Sequence, residues 1–169
     1  MKSLGKIKQL PCEIIQLLST NETLQRLLLI DTDDVFNTQN FKMCDWTKLL
    51  ETDYMSIRPI VDDGITNNSR NTFLIVHLDD IDSYNWEDNI EISGSIFVGT
   101  NYEHVWLKGN KLRLLEIIDE IMKTLDGCKF SVAGKMLIYR ASSVVYSNKS
   151  FGYRVSFKIK EQENRKAEL

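Results

Sequence analysis

The stretch from Ile90 onward constrains this chain most. A long extended run, Ile90 to Leu107, leads into a single amphipathic segment, Lys111 to Leu125. Two β-rich runs follow, Lys135 to Tyr146 and Phe151 to Lys160, before a charged tail. One helix set among long strands reads as a compact α+β unit in which the helix buries its apolar stripe on a sheet.

The helix has the clearest signal. Leu112, Leu115, Ile118, Ile121, Met122 and Leu125 fall on one stripe, with Arg113, Glu116, Asp119, Glu120 and Lys123 opposite. Gly127 supplies the left-handed residue that stops it. In the last run Tyr153, Val155, Phe157 and Ile159 alternate with Arg154, Ser156, Lys158 and Lys160, so the second set is expected outward. Val144 and Val145 belong to the strand before it. Ile90, Ile92, Ile96 and Val98 pattern an earlier strand, and Gly94 marks an expected bulge or bend. Trp106, at the end of that run, is expected in the core. Thr72 to Leu78 is apolar on both faces except for His77, which places it centrally in the sheet.

The N-terminal part reads as a helical arm over residues 11–29. Pro11 suits a first turn, Ile14, Ile15, Leu17 and Leu18 form a stripe, and Leu24, Leu27 and Leu28 resume it after a break near Thr20. Asp45 is a plausible cap for a helical turn over residues 45–51. Ile57 to Val61 suits a short strand, kept to an edge by Pro59. Loops are expected at 31–45, 62–71 and 79–89. Together these give one α+β domain over 1–160, with a charged tail at 161–169. Its mixed or mainly antiparallel sheet is expected to have about four or five strands.

Charge is unevenly spread. The chain totals 21 Lys/Arg and 24 Asp/Glu, a net charge of −3, which argues against a dedicated nucleic-acid binder. Residues 1–100 hold 8 basic and 16 acidic groups (−8), and residues 101–169 hold 13 and 8 (+5). Such asymmetry suits a subunit that sets an acidic surface against its neighbour's basic one. Cys12, Cys44 and Cys128 are odd in number and lack metal-ligand spacing, so a reducing compartment and no zinc site are expected. The apolar stretches fall far short of the roughly 18 residues a spanning helix needs, so no membrane contact is expected.

Candidate chemistries are few. The acidic clusters Asp31/Asp33/Asp34, Asp62/Asp63 and Asp79/Asp80/Asp82 lack the glycine and closing glutamate of a calcium loop and read as solvated carboxylates. Asp80 and Glu91, on adjoining strands, suggest a metal-dependent enzyme acting on nucleic acid. No lysine follows Glu91 closely, however, and the sequence favours the reading without catalytic, cofactor-binding or metal-binding residues. His77 reads as a hydrogen-bonded sheet histidine, and His104 stands near a strand end without a nucleophile motif. Trp86, Arg113 and Arg154 are the candidate subunit contacts, expected to be exposed, with Trp86 in its acidic loop a candidate anchor.

The arrangement resembles the tail-terminator and neck-connector proteins of long-tailed bacteriophages. The resemblance rests on a helix pair (Glu13-Ile-Ile-Gln-Leu-Leu and Thr23-Leu-Gln-Arg-Leu-Leu) before a buried strand, Phe73-Leu-Ile-Val-His-Leu. Glu103-His-Val-Trp-Leu then runs into Leu112-Arg-Leu-Leu-Glu-Ile-Ile-Asp-Glu-Ile, which closes at Leu125-Asp-Gly. Gly134-Lys-Met-Leu-Ile-Tyr and Phe151-Gly-Tyr-Arg-Val-Ser-Phe-Lys-Ile complete it, so that it spans about residues 10–160. This chain departs from the family in the extra length between residues 31 and 72.

The resemblance implies a structural virion protein, not an enzyme, assembled in the host cytoplasm into a homo-oligomeric ring, typically a hexamer. Such a ring caps the tail tube and meets the head-completion or connector protein, and a head-completion role in the same neck is the alternative. DNA would pass through without specific binding, and an acidic lining would let it slide.

Overall fold

A computed structural model of the chain describes residues 7–58, 70–84, 89–130, 134–146 and 149–160. Two short helices, α1 (Leu10–Ser19) and α2 (Glu22–Leu29), form the N-terminal arm, broken near Thr20 as the sequence suggests. Pro11 sits in the first turn of α1, and the Asn21 side chain caps α2 by accepting from the Leu24 N–H. A third helix, α3 (Trp46–Glu51), is capped by Asp45, as expected.

The strands are β1 (Met55–Ile57), β2 (Thr72–Tyr84), β3 (Asn89–Asn101), β4 (Trp106–Leu107), β5 (Lys111–Leu112), β6 (Lys129–Phe130), β7 (Gly134–Val145) and β8 (Ser150–Lys160). Helix α4 (Arg113–Leu125) lies between β5 and β6. Six strands make one mixed sheet in the order β1-β2-β3-β8-β7-β6. Only the β1–β2 pair is parallel, and β4 with β5 forms a separate two-stranded ribbon. The α+β class therefore stands. The sheet is larger than the expected four or five strands because two-residue and three-residue strands such as β6 and β1 are too short to show a period in sequence.

Both long hairpins are interrupted by one extra residue. The β2–β3 register shifts between Leu78 and Asp80, and the β7–β8 register between Ile138 and Arg140. The bulge expected at Gly94 thus lies on the opposite strand, at Asp79. Gly94 is needed for another reason: a side chain there would drive into the Phe157 ring and the His77 carbonyl.

Four further expectations are corrected. Asp79 to Tyr84, read as part of an acidic loop over 79–89, continues β2 as a paired strand. Its aspartates are exposed, and among the described residues β1 pairs with β2 only from Leu74 to Val76. The Ile90–Leu107 run is not one strand, since a 3-10 turn (Tyr102–His104) separates β3 from β4. Trp106, expected in the core, is 60% exposed on the β4–β5 ribbon. The helix stripe is rotated: Leu114, Ile117, Ile118, Ile121 and Leu125 are buried, whereas Leu115 and Met122 face out. The segment Lys111–Leu112 is strand, so Leu112 is not part of the helix stripe, whose buried side centres on Leu114, Ile117, Ile121 and Leu125.

Helices α1, α2 and α4 cover one face of the sheet. Leu10, Ile14, Leu18, Leu24, Leu28, Ile117, Ile121 and Leu125 pack there against Leu74, Val76, Ile96, Val98, Val155, Phe157 and Ile159. This is the main core, and burial of each such side chain is worth about 1.5–3 kcal/mol. Buried Gln25 ties the arm together, donating to the Ser19 and Cys44 carbonyls and accepting from the Cys44 N–H. The expected strand at Ile57–Val61 is found at Met55–Ile57. Residues 59–61 of that segment, 62–69 of the next loop, 85–88 and the 161–169 tail lie outside the described residues.

Candidate functional site: the open sheet face

The second face of the sheet carries no helix among the described residues, and its composition changes along its length. At one end Phe73, Ile75, Phe97 and Tyr146 form a small aromatic cluster. Glycines make room for it: a Cβ at Gly99 would strike the Phe73 ring, and one at Gly152 would meet the Val98 carbonyl and the Tyr146 ring. Phe73 and Tyr146 pack with ring centroids 5.6 Å apart. The Tyr146 hydroxyl donates to the Val98 carbonyl at 3.2 Å, and burial pushes its pKa up.

Towards the other end the face becomes polar. The bulge makes Asp79 the extra residue and leaves Asp80 and Asp82 opposite Ser93 and Glu91. Asp79 accepts from the Ser95 hydroxyl at 2.7 Å and from Arg154 at 2.8 Å, and lies 3.3 Å from His77 Nε2. His77 Nδ1 lies 2.8 Å from the Arg58 carbonyl. Because that carbonyl can only accept, Nδ1 carries a proton. Ser95 also accepts from Arg154 Nε at 2.8 Å, and the Arg154 guanidinium stands over the Phe97 ring. The serine proton is thus already committed to Asp79. The cluster cross-braces β2, β3 and β8, and His77 is the hydrogen-bonded sheet histidine the sequence suggests.

A second ionic group lies at the end of the sheet. Glu91 takes Lys158 at 2.7 Å and Lys160 at 2.6 Å. These hydrogen bonds, Lys158 first, hold its carboxyl below the ordinary value. The lysine not found beside Glu91 in sequence is therefore supplied in space, twice, from β8. Two ammonium groups on one carboxylate compete with any cation for it. Among the described residues no three His, Cys, Asp or Glu side chains come together in a way that could hold a metal ion. Nearby, Asp126, Gly127, Lys135, Met136, Leu137, Lys158 and Lys160 line a shallow cleft of about 290 Å³.

The candidate contact residues fare differently. Arg154 lies on the open face, half-buried in the Asp79 cluster. Trp86 lies outside the described residues. Arg113 is corrected: chosen as exposed, it is 0% accessible. Its guanidinium donates to the carbonyls of His104, Leu27, Ile30 and Thr32 at 2.7–2.8 Å, clamping α4 to the end of α2 and the following loop. Burial lowers its pKa, opposed by Asp31 and Asp33. One signal was available: Arg113 is the first residue of α4, where the helix dipole disfavours a positive charge, so a specific partner was called for.

What the sequence did not single out is the outer side of β7. Leu137 on the open face, Tyr139 at the bulge and Val145 on the helix-covered side are exposed along it, Val145 at 75%. No known family model matches the chain, and no curated protein is similar to it in sequence.

Proposed function

We propose that this chain is a structural virion protein, a tail-terminator or neck subunit that assembles into a ring, caps the tail tube and joins it to the head connector. The observation that carries this reading is the combination of a helix-covered core with a sheet whose long strands keep exposed apolar side chains at their outer sides: Ile81 on β2 and Leu137, Tyr139 and Val145 on β7. Exposed apolar side chains at a sheet margin are candidates for burial by a partner, even where, as here, a bulge and charged residues share the margin. A subunit that is finished only by its neighbours has reason to leave them open. The order of elements supports the same reading, because it is the order on which the resemblance to phage neck proteins rests.

The test pairs light scattering and negative-stain imaging of the purified chain with imaging of virions that lack it. Closed rings, together with mutant particles whose tails are abnormal in length and unjoined to heads, are expected. A stable monomer whose loss leaves the virions unchanged would overturn the proposal.

A further inference from the structure

The two outer sides of the sheet are not alike, and the difference is directional. On one side β1 covers β2 only from Leu74 to Val76, so beyond Leu78 the outer side of β2 meets no strand among the described residues. On the other side β6 covers β7 only at Gly134 and Lys135. The bonds between Met136 and residues 127 and 128, and from the Ile138 N–H to Asp126, extend that cover a little. From Tyr139 to Val145 the outer side of β7 likewise meets no strand among the described residues. Among the described residues, then, the backbone groups on these two outer sides have no strand to pair with.

Strand direction and charge decide which partner fits. β2, β3, β8 and β7 alternate in direction, so β7 runs opposite to β2. If β7 of one copy lay beside β2 of the next, the antiparallel alternation would continue unbroken across the contact. Charge runs the same way. The register sets Asp82, Glu91, Lys160, Lys135 and Lys129 in one row across the sheet end, acid at the β2 side and base at the β6 side. The middle of the row is neutralised internally, Glu91 by Lys158 and Lys160. At the ends, Asp80 and Asp82 on one side and Lys129, Lys135 and Arg140 on the other are exposed, and none joins an ion pair among the described residues.

We infer that copies of this chain join edge to edge, the outer side of β7 (Tyr139–Val145) pairing antiparallel with the acidic outer side of β2 (Leu78–Asp82) of the next copy, so that the sheet runs on from subunit to subunit. The two surfaces differ, so the contact is head-to-tail and propagates until rotation closes it, as a ring requires. Ile81 shares the helix-covered face with Ala141, Ser143 and Val145 of β7, and Asp80 and Asp82 share the open face with Arg140, so like faces meet across the contact. A contact between two β7 edges would instead bring Arg140 and Lys135 against their own copies, which like charge disfavours. This inference rests on the ring reading and specifies its interface.

Disulfide trapping in the full chain tests it. Ile81→Cys is combined in turn with Tyr139→Cys, Ala141→Cys or Ser143→Cys. Within one copy β2 and β7 stand three strand spacings apart, about 14 Å, beyond the reach of a disulfide. A ladder of covalent multimers on a non-reducing gel is expected from at least one double variant. Each single variant and the wild type, with its three native cysteines, should stay at monomer mass. Scattering that shows oligomers while no double variant forms a ladder would place the interface elsewhere and leave the ring reading standing. Covalent dimers from Tyr139→Cys alone would show β7 meeting β7 and overturn the head-to-tail contact. A chain that is monomeric at every concentration and forms no ladder sinks both readings. As a second variant, Arg140→Glu should weaken self-association several-fold, and adding Asp80→Lys with Asp82→Lys should restore it. Wild-type association by Arg140→Glu would refute the charge pairing.

Discussion

The two faces of the sheet solve the same problem in opposite ways. The helix-covered face packs an apolar core, and Arg113, buried beside it, is satisfied by four carbonyls of its own chain. The open face keeps only a small aromatic cluster and fills the rest with ionic contacts, Asp79 with Arg154 and Glu91 with Lys158 and Lys160. The first face is covered within the chain itself. The second is braced but wet, and its charge is left unbalanced at the two margins. That contrast separates what stabilises the fold from what is available to a partner.

The comparison is broken most directly at Arg113. Arg113→Met removes the clamp and leaves several buried carbonyls without their donor, so a loss of roughly 3–5 kcal/mol is expected. Urea denaturation followed by circular dichroism reads it, and a loss under 1 kcal/mol would mean that the arm is held by packing alone. The next effect distinguishes the two sides of α4. Ile117→Ala should cost about 2–4 kcal/mol, whereas Leu115→Ala, on the outer side, should stay within about 0.5 kcal/mol in the monomer. Equal losses would mean that the helix is rotated from the position described.

The smallest effect belongs to the open face. Glu91 titrates below its ordinary value of 4.5 because Lys158 and Lys160 favour its charged form. A carboxyl whose folded pKa lies below its unfolded one adds stability that is fully present above the unfolded value and lost as pH falls through the folded one. The wild type should therefore lose part of its thermal stability on acidification below pH 4.5. Glu91→Gln should flatten that part of the profile and lie below the wild type at pH 7, where the wild-type carboxylate is fully charged, by about the amount the wild type loses on acidification. A profile of the same steepness in both proteins would show that the lysines do not stabilise the folded state through Glu91.

Strongly periodic elements were legible early. The break near Thr20, the Asp45 cap, a strand from Thr72 and the final strand pair are all present in the fold, although the Thr72 strand lies next to the sheet edge and not at its centre. The errors share a cause. The aspartates of β2 suggest a loop by polarity alone, whereas in the fold their backbone pairs with β3 and their side chains are exposed. The α4 stripe was misphased because Leu112 counts as apolar whether it begins a helix or ends a ribbon. Trp106 looked buried by type, yet the β4–β5 ribbon carries it outward. Of the candidate contacts, Arg154 lies on the open face and Arg113 does not, since sequence alone does not show whether an arginine has carbonyls waiting for it.

Taken alone, the sequence determined the class of fold, the helical arm, the single main helix and the uneven division of charge, because these follow from local period, capping and composition. Only the tertiary structure decided which way α4 faces, that Glu91 meets two lysines 67 and 69 positions away (158 − 91 and 160 − 91), and where the acidic and basic margins fall. Those are consequences of strand order and register. Register depends on pairings between distant segments, which a local reading of side-chain types does not contain.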